Sequence, residues 1–190
     1  KLGDFKNWNC FLGISTDCYC VSLGSDGVFT GAISHQGVPI FFKESYIHRV
    51  SGTVPANYTI ITVQGRGVQD GSWKSLAVVN ETLLYKARTD IMAYDGTMPY
   101  SVSEKLGSTR YHDAVGGAYR DKYYVTMQNE LAERSLYVYD TAKGLWHKED
   151  DAHIPHMASV DGELVLAVEG DGKTFLRTVG ITSDNEETFP

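Results

Sequence analysis

A short apolar run returns four times along the chain at nearly constant phase: Ile40-Phe41-Phe42, Leu83-Leu84-Tyr85, Tyr123-Tyr124-Val125 and Leu164-Val165-Leu166. Phe41, Leu84, Tyr123 and Leu164 stand 43, 39 and 41 residues apart. Each run leads into a second apolar stretch after a short break. Phe41-Phe42-Lys43-Glu44 precedes Tyr46-Ile47-His48-Arg49-Val50, closed by Ser51-Gly52, and Leu83-Leu84-Tyr85-Lys86 precedes Ile91-Met92-Ala93-Tyr94, closed by Asp95-Gly96. Tyr123-Tyr124-Val125-Thr126 precedes Leu136-Tyr137-Val138-Tyr139-Asp140, with a further strand opening at Leu145-Trp146. The last repeat has residues 164–168, the turn Gly170-Asp171-Gly172 and residues 174–178, and then lacks an outer strand. An apolar segment also precedes every run, at 28–33, 76–79, 114–119 and 157–160, ending in Gln36-Gly37, Asn80-Glu81, Arg120-Asp121 and Asp161-Gly162. Short strands between turn signals, repeating every ~40 residues, predict an all-β chain of the β-propeller class, one four-stranded antiparallel blade per repeat.

The repeats fall at about 26–64, 72–106, 112–151 and 155–180 of a single domain spanning residues 1–190. Small residues crowd the first strands, as in Gly31-Ala32 and Gly116-Gly117-Ala118. That suits the innermost strands of a propeller, where backbones converge. Residues 130–134 are too few for a stable helix and read as a hairpin loop. Four blades use nearly all of the 190 residues, some 25 precede the first, and the chain opens on Lys1. The expectation is a piece of a larger propeller, with a small closed ring or an arc completed by another copy as the alternatives.

Charge excludes more than it assigns. A net charge of -7 with no basic run disfavours a nucleic-acid groove, and no apolar stretch is long enough for a membrane-spanning helix. Cys10, Cys18 and Cys20 lack the spacing of a zinc knuckle and read as buried free thiols in reducing surroundings. His147, Asp150, Asp151, His153 and His156 form the densest group of potential metal ligands, against the plainer reading of a polar loop between two blades. His112-Asp113 is the one pair shaped to orient a general base. Gly65-Arg66-Gly67 with Gly71 has the wrong spacing for a dinucleotide loop. Asn57-Tyr58-Thr59 and Asn80-Glu81-Thr82 match the glycosylation acceptor pattern, which matters only in a eukaryotic secreted protein. Tyr85, Tyr94, Tyr123, Tyr137 and Tyr139 read as packing between blades rather than a binding face. Trp146 stands where kelch-type blades carry the Trp that locks neighbouring blades; Trp73 has no such position. No catalytic, cofactor-binding or metal residue is assigned, and no cofactor is expected.

Four stretches resemble bacteriophage and prophage structural proteins of gut Firmicutes: Phe41-Phe42-Lys43-Glu44; residues 74–80; Leu84-Tyr85-Lys86 with Ala93-Tyr94-Asp95-Gly96; and residues 138–146. Ala114-Val115-Gly116-Gly117-Ala118 extends the resemblance, which spans nearly the whole chain. It implies a propeller-like virion component of the neck, tail or adsorption apparatus, assembled in the bacterial cytoplasm. Its partners would be other virion proteins or further copies of itself, and no catalytic residues carry over. The alternative is a glycan-binding or carbohydrate-active propeller acting at the host surface. A hydrolase would need two carboxylates about 5 to 9 Å apart in a cleft, and the candidates are Asp26, Asp70, Asp113 and Glu163.

Overall fold

A computed structural model describes residues 21–54 and 57–180, with the backbone of a short strand beyond them; the three cysteines lie outside the described residues. The chain is all-β, with no α-helix among the described residues, and its strands form four separate four-stranded antiparallel sheets. Sheet 1 holds β1 (Gly31–His35), β2 (Val38–Lys43), β3 (Tyr46–Ser51) and β4 (Thr59–Gln64). Sheet 2 holds β5 (Ala77–Val79), β6 (Thr82–Lys86), β7 (Ile91–Tyr94) and β8 (Tyr100–Ser101). Sheet 3 holds β9 (Tyr111–Tyr119), β10 (Lys122–Asn129), β11 (Arg134–Asp140) and β12 (Leu145–Asp150). Sheet 4 holds β13 (His153–Val160), β14 (Glu163–Gly170), β15 (Lys173–Thr178) and β16 (Glu187–Phe189).

Each sheet is a meander in chain order, and the same type of turn starts sheets 1, 2 and 4. Gln36-Gly37, Asn80-Glu81 and Asp161-Gly162 all take positive φ at both positions, the twist that matches a two-residue hairpin. That shared register makes the second strands superimposable. Counting from the first residue of each, the third and fifth positions are Ile40 and Phe42, Leu84 and Lys86, Tyr124 and Thr126, Val165 and Ala167. They mark what we call the rear face. The second, fourth and sixth mark the front face: Leu83, Tyr85 and Ala87 in sheet 2, Tyr123, Val125 and Met127 in sheet 3, Leu164, Leu166 and Val168 in sheet 4.

The core lies between sheets, not within them. Ile40, Phe42 and Ile47 on the rear of sheet 1 pack on Leu83, Tyr85, Met92 and Tyr94 on the front of sheet 2. Leu84, Ile91 and Ala93 then meet Tyr123, Val125 and Met127, and Tyr124, Leu136 and Val138 meet Leu164, Leu166 and Val168. Large rings fill the wedges: Tyr85, Tyr94 and Tyr123 are fully buried, while Tyr137 and Tyr139 pack at the edge of the second cluster, so all five serve as packing. Among the described residues no hydrophobic cluster joins sheet 4 back to sheet 1.

The first strands approach one another, β9 lying beside both β5 and β13. Glycine is required there. A Cβ on Gly116 would stand 2.8 Å from the Tyr123 ring and 2.9 Å from the Ser75 carbonyl, and one on Gly117 would stand 2.5 Å from Leu164 Cδ1.

Three expectations need correction. Sheet 4 has its outer strand: β16 pairs with β15 at Leu176↔Glu187, Phe175↔Thr188 and Thr174↔Phe189. Three residues are too short for a period-two signal, so the ladder, not the side-chain pattern, makes that strand. The first strand of sheet 1 starts at Gly31, not Val28, because Phe29 leaves the ladder to lie over Phe41 and His48 at centroid distances of 6.1 and 5.9 Å. The segment from His147 to His156 is not a polar loop, since β12 and β13 occupy all of it except Asp151-Ala152. Residues 130–133 do form the β10–β11 turn, with Asn129 Oδ1 accepting from the Leu131 and Glu133 backbone N–H groups.

Candidate functional site

The first hairpin turns define a lower end of the sheet stack, and the turns between second and third strands define the upper end. Three of the four candidate carboxylates lie at the upper end. Asp26 and Asp70 line one open cleft of about 560 Å³ together with Glu44, Tyr46, Gln64 and Thr30. Glu44 was not singled out in the sequence, yet it anchors the cleft, its Oε1 accepting from the Asp70 backbone N–H at 3.2 Å. The loop reaches this place because Gly67 N donates to Glu44 O at 2.9 Å, in a fit so close that a Cβ on Gly67 would stand 1.9 Å from Lys43 O.

Asp113 adjoins this loop. Its Oδ1 lies 2.9 Å from where a Cβ of Gly71 would stand. It occupies a β-bulge, where the β9–β10 register shifts between Thr126 and Gln128, and takes φ 48, uncommon for a residue with a side chain. The bulge turns Asp113 toward His112, whose Nδ1 donates to Asp113 Oδ2 at 2.9 Å. The orienting pair read from the sequence is therefore formed, and about half of each side chain is exposed. Glu163 opens β14 at the lower end, away from the other three.

Beneath the upper surface Ser72 and Ser75 tie three strands together, and the sequence reading passed over both. Ser72 Oγ accepts from Ala114 N at 3.1 Å, Ser75 Oγ accepts from Lys86 N at 2.9 Å, and Tyr123 Oη donates to Ser75 O at 2.7 Å. Both serines are fully buried, so these are load paths through the core, not nucleophiles. Trp73 between them is 57% exposed, with the Lys74 ammonium 5.7 Å from its ring centroid. Lys74 Nζ also donates to Pro155 O at 3.3 Å.

The potential metal ligands are drawn to separate partners. His147 pairs with Glu149 at 3.4 Å, His153 with Glu169 at 2.9 Å, and Asp151 with Lys148 and Ser135. Those two bonds hold the Asp151 carboxyl below the usual range. No group of three or more His, Cys, Asp or Glu able to hold a metal occurs among the described residues. Trp146 of sheet 3 stacks on Tyr139 at 4.8 Å, and its Nε1 donates to Val102 O at 2.7 Å, in the segment that follows sheet 2.

The stack ends differ from the stack interior. On the rear face, Ile40 and Phe42, Leu84 and Lys86, Tyr124 and Thr126 are all buried, whereas Val165 and Ala167 are only half-buried. Leu176, their β15 neighbour across the Ala167 pair, is half-buried too. The front of sheet 1 is roofed: besides the Phe29 contacts, Lys43 Nζ donates to Ser25 O at 2.5 Å, and Ser25 Oγ and His48 Nε2 are 3.2 Å apart.

No family model matches this chain, and no curated protein is similar to it. Among the described residues no helix is long and apolar enough to cross a membrane.

Proposed function

We propose that this chain is a non-catalytic interaction module of a phage or prophage particle, serving its neck, tail or adsorption apparatus, with each sheet acting as one blade of a β-propeller. The observation that carries the interaction reading is the rear face of sheet 4. Positions buried between sheets three times over are half-open the fourth time, and apolar residues stand there. Sheet faces of this kind are covered in functioning assemblies, because an apolar sheet surface left in water is an association site. The virion setting comes from the sequence resemblance and is tested by immunogold electron microscopy of particles from an induced lysogen carrying the gene. Label at a fixed place on the neck or tail is expected; bare particles, with the protein only in the soluble lysate, overturn the setting.

A second reading draws on the upper cleft. Asp26, Glu44, Asp70, Gln64 and Tyr46 supply the carboxylate, amide and aromatic groups that bind sugar hydroxyls and sugar faces. It predicts glycan binding that Asp70→Ala abolishes, read by saturation-transfer NMR against a panel of surface oligosaccharides. With no saturation transfer from any of them, this reading falls.

A further inference from the structure

We infer that the upper cleft is one end of a longer groove that takes an acidic glycan, with the acid group of one sugar held by Arg66 and Arg88 and neutral sugars to either side. The inference rests on the glycan reading of that cleft and names the class of glycan. Three open clefts follow one another across the upper ends of sheets 1 and 2. The first, of about 560 Å³, is the cleft of Asp26 and Asp70, and it shares Glu44, Ser45 and Gln64 with a second of about 480 Å³. The second shares Gly65 and Arg66 with a third of about 610 Å³, which runs out to Met98, Pro99 and Tyr100. Shared walls make them one continuous groove. Its first two sections cross the 44–45 turn, the end of β4 at Gln64 and the 88–89 turn. Only in the third does an edge strand line it, and that strand, β8, is two residues long. An extended peptide therefore finds almost no ladder to join. Hydroxyl, amide and carboxylate groups with the rings of Tyr46 and Tyr100 suit a chain of hydroxylated sugars instead.

The three sections differ in charge, and that sets where the acid group lies. Asp26, Asp70 and Glu44 line the first section, and Glu104 lines the third. The middle section holds Arg66 and Arg88. Lys86 stands under the same turn, 1% exposed, its Nζ donating to Ala87 O and Arg88 O at 2.5 and 3.3 Å. The carboxylate at this turn, Asp90, is already engaged: its Oδ2 takes both Arg66 Nη1 and the Thr89 hydroxyl, the latter at 2.6 Å. The Arg88 side chain is exposed, and among the described residues its guanidinium forms no ion pair or hydrogen bond. In a chain of net charge -7, a free guanidinium thus stands in a concave site beside a second one. A guanidinium fork takes an oxyanion through two parallel charge-assisted bonds. Carboxylates in the flanking sections select against a polymer charged at every sugar, because like charges brought into one groove repel.

The test is isothermal titration calorimetry of the full 190-residue chain against two matched pairs of sugars. Hyaluronan hexasaccharide, with carboxylates on alternate sugars, is set against neutral chitohexaose, and phosphopentamannose, with a single phosphate, against mannopentaose. At least one acidic member is expected to bind more than about 10-fold tighter than its neutral counterpart, and which one does so tells carboxylate from phosphate. Arg88→Ala should erase that preference, a loss of about 10- to 100-fold for a charge-assisted contact, with an unchanged melting temperature showing that the fold survives. Arg88→Lys should keep part of it. Oligogalacturonate, charged at every sugar, should bind more weakly than hyaluronan hexasaccharide. The inference is overturned if neither acid is preferred, if the preference survives Arg88→Ala, or if an oligoglutamate peptide binds as tightly as the acidic sugar. Neutral sugars that bind through Asp70 with no preference for acid end this inference alone; a chain that binds none of these sugars ends the glycan reading with it.

Discussion

The interface between sheets 2 and 3 and the rear face of sheet 4 are built from the same register, and they end in opposite states. At the first, Leu84 is buried against Tyr123, and the fully buried Tyr123 hydroxyl donates to the Ser75 carbonyl. At the second, Val165 stands at the position of Leu84 and remains half-exposed. What differs is not the strand but the presence of a following sheet. Burial in this molecule is a property of the stack, so side chains at equivalent positions carry unequal energetic weight.

Substitution should expose that inequality. Tyr123→Ala removes a fully buried ring and should cost ~3–5 kcal/mol in thermal or denaturant unfolding. Gly116→Ala should cost ~1–3 kcal/mol, since its methyl collides with the Tyr123 ring and the Ser75 carbonyl at the narrow edge of the same wedge. Measured on the monomer, Val165→Ala should cost under ~1 kcal/mol, because a half-exposed side chain has little burial to lose. A loss at Val165 equal to that of Leu84→Ala, ~2–5 kcal/mol, would break the comparison.

A smaller effect follows from pH. Burial pulls Lys86, which stands where Phe42 and Thr126 stand in the neighbouring sheets, down to about 8 from the ordinary 10.5. The unfolded chain then holds this proton longer than the folded one, so stability rises between pH 8 and 10.5. Burial pushes the other way on tyrosine. It raises Tyr85 and Tyr123, and it raises Tyr111, helped by Tyr137, to about 12. These groups ionise first in the unfolded chain, so stability falls as pH climbs past ~10. Melting temperatures from pH 7 to 11 should rise gently and then drop, and Lys86→Met should remove the rise while keeping the drop.

Much of the fold was legible because turn chemistry and apolar phase agreed. Gln36-Gly37 and Asp161-Gly162 punctuate the chain where the backbone takes positive φ, and the short apolar runs such as 83–85 and 123–125 are strands buried on both faces. What escaped reading depended on contacts distant in sequence. Phe29 looked like a strand residue until its packing on Phe41 and His48 took it out of the ladder. β16 exists only as the partner of β15. The cleft was half-visible: Asp26 and Asp70 were candidates, but Glu44 joins them through a turn that only the fold brings near. Glu163 shared their chemistry and not their place, since each strand reverses end for end and a carboxylate's position in sequence does not say which end it occupies. The buried serine knot had no signal at all beyond two small polar residues in a turn.

The comparison is tested most directly by thiol accessibility at equivalent positions. In a background with Cys10, Cys18 and Cys20 replaced by serine, Tyr124→Cys and Val165→Cys would be labelled over a range of protein concentrations. The account predicts that the thiol at 124 stays protected throughout, while the one at 165 reacts readily. Protection at 165 that is complete at every concentration would contradict it, for the chain itself would then cover the face.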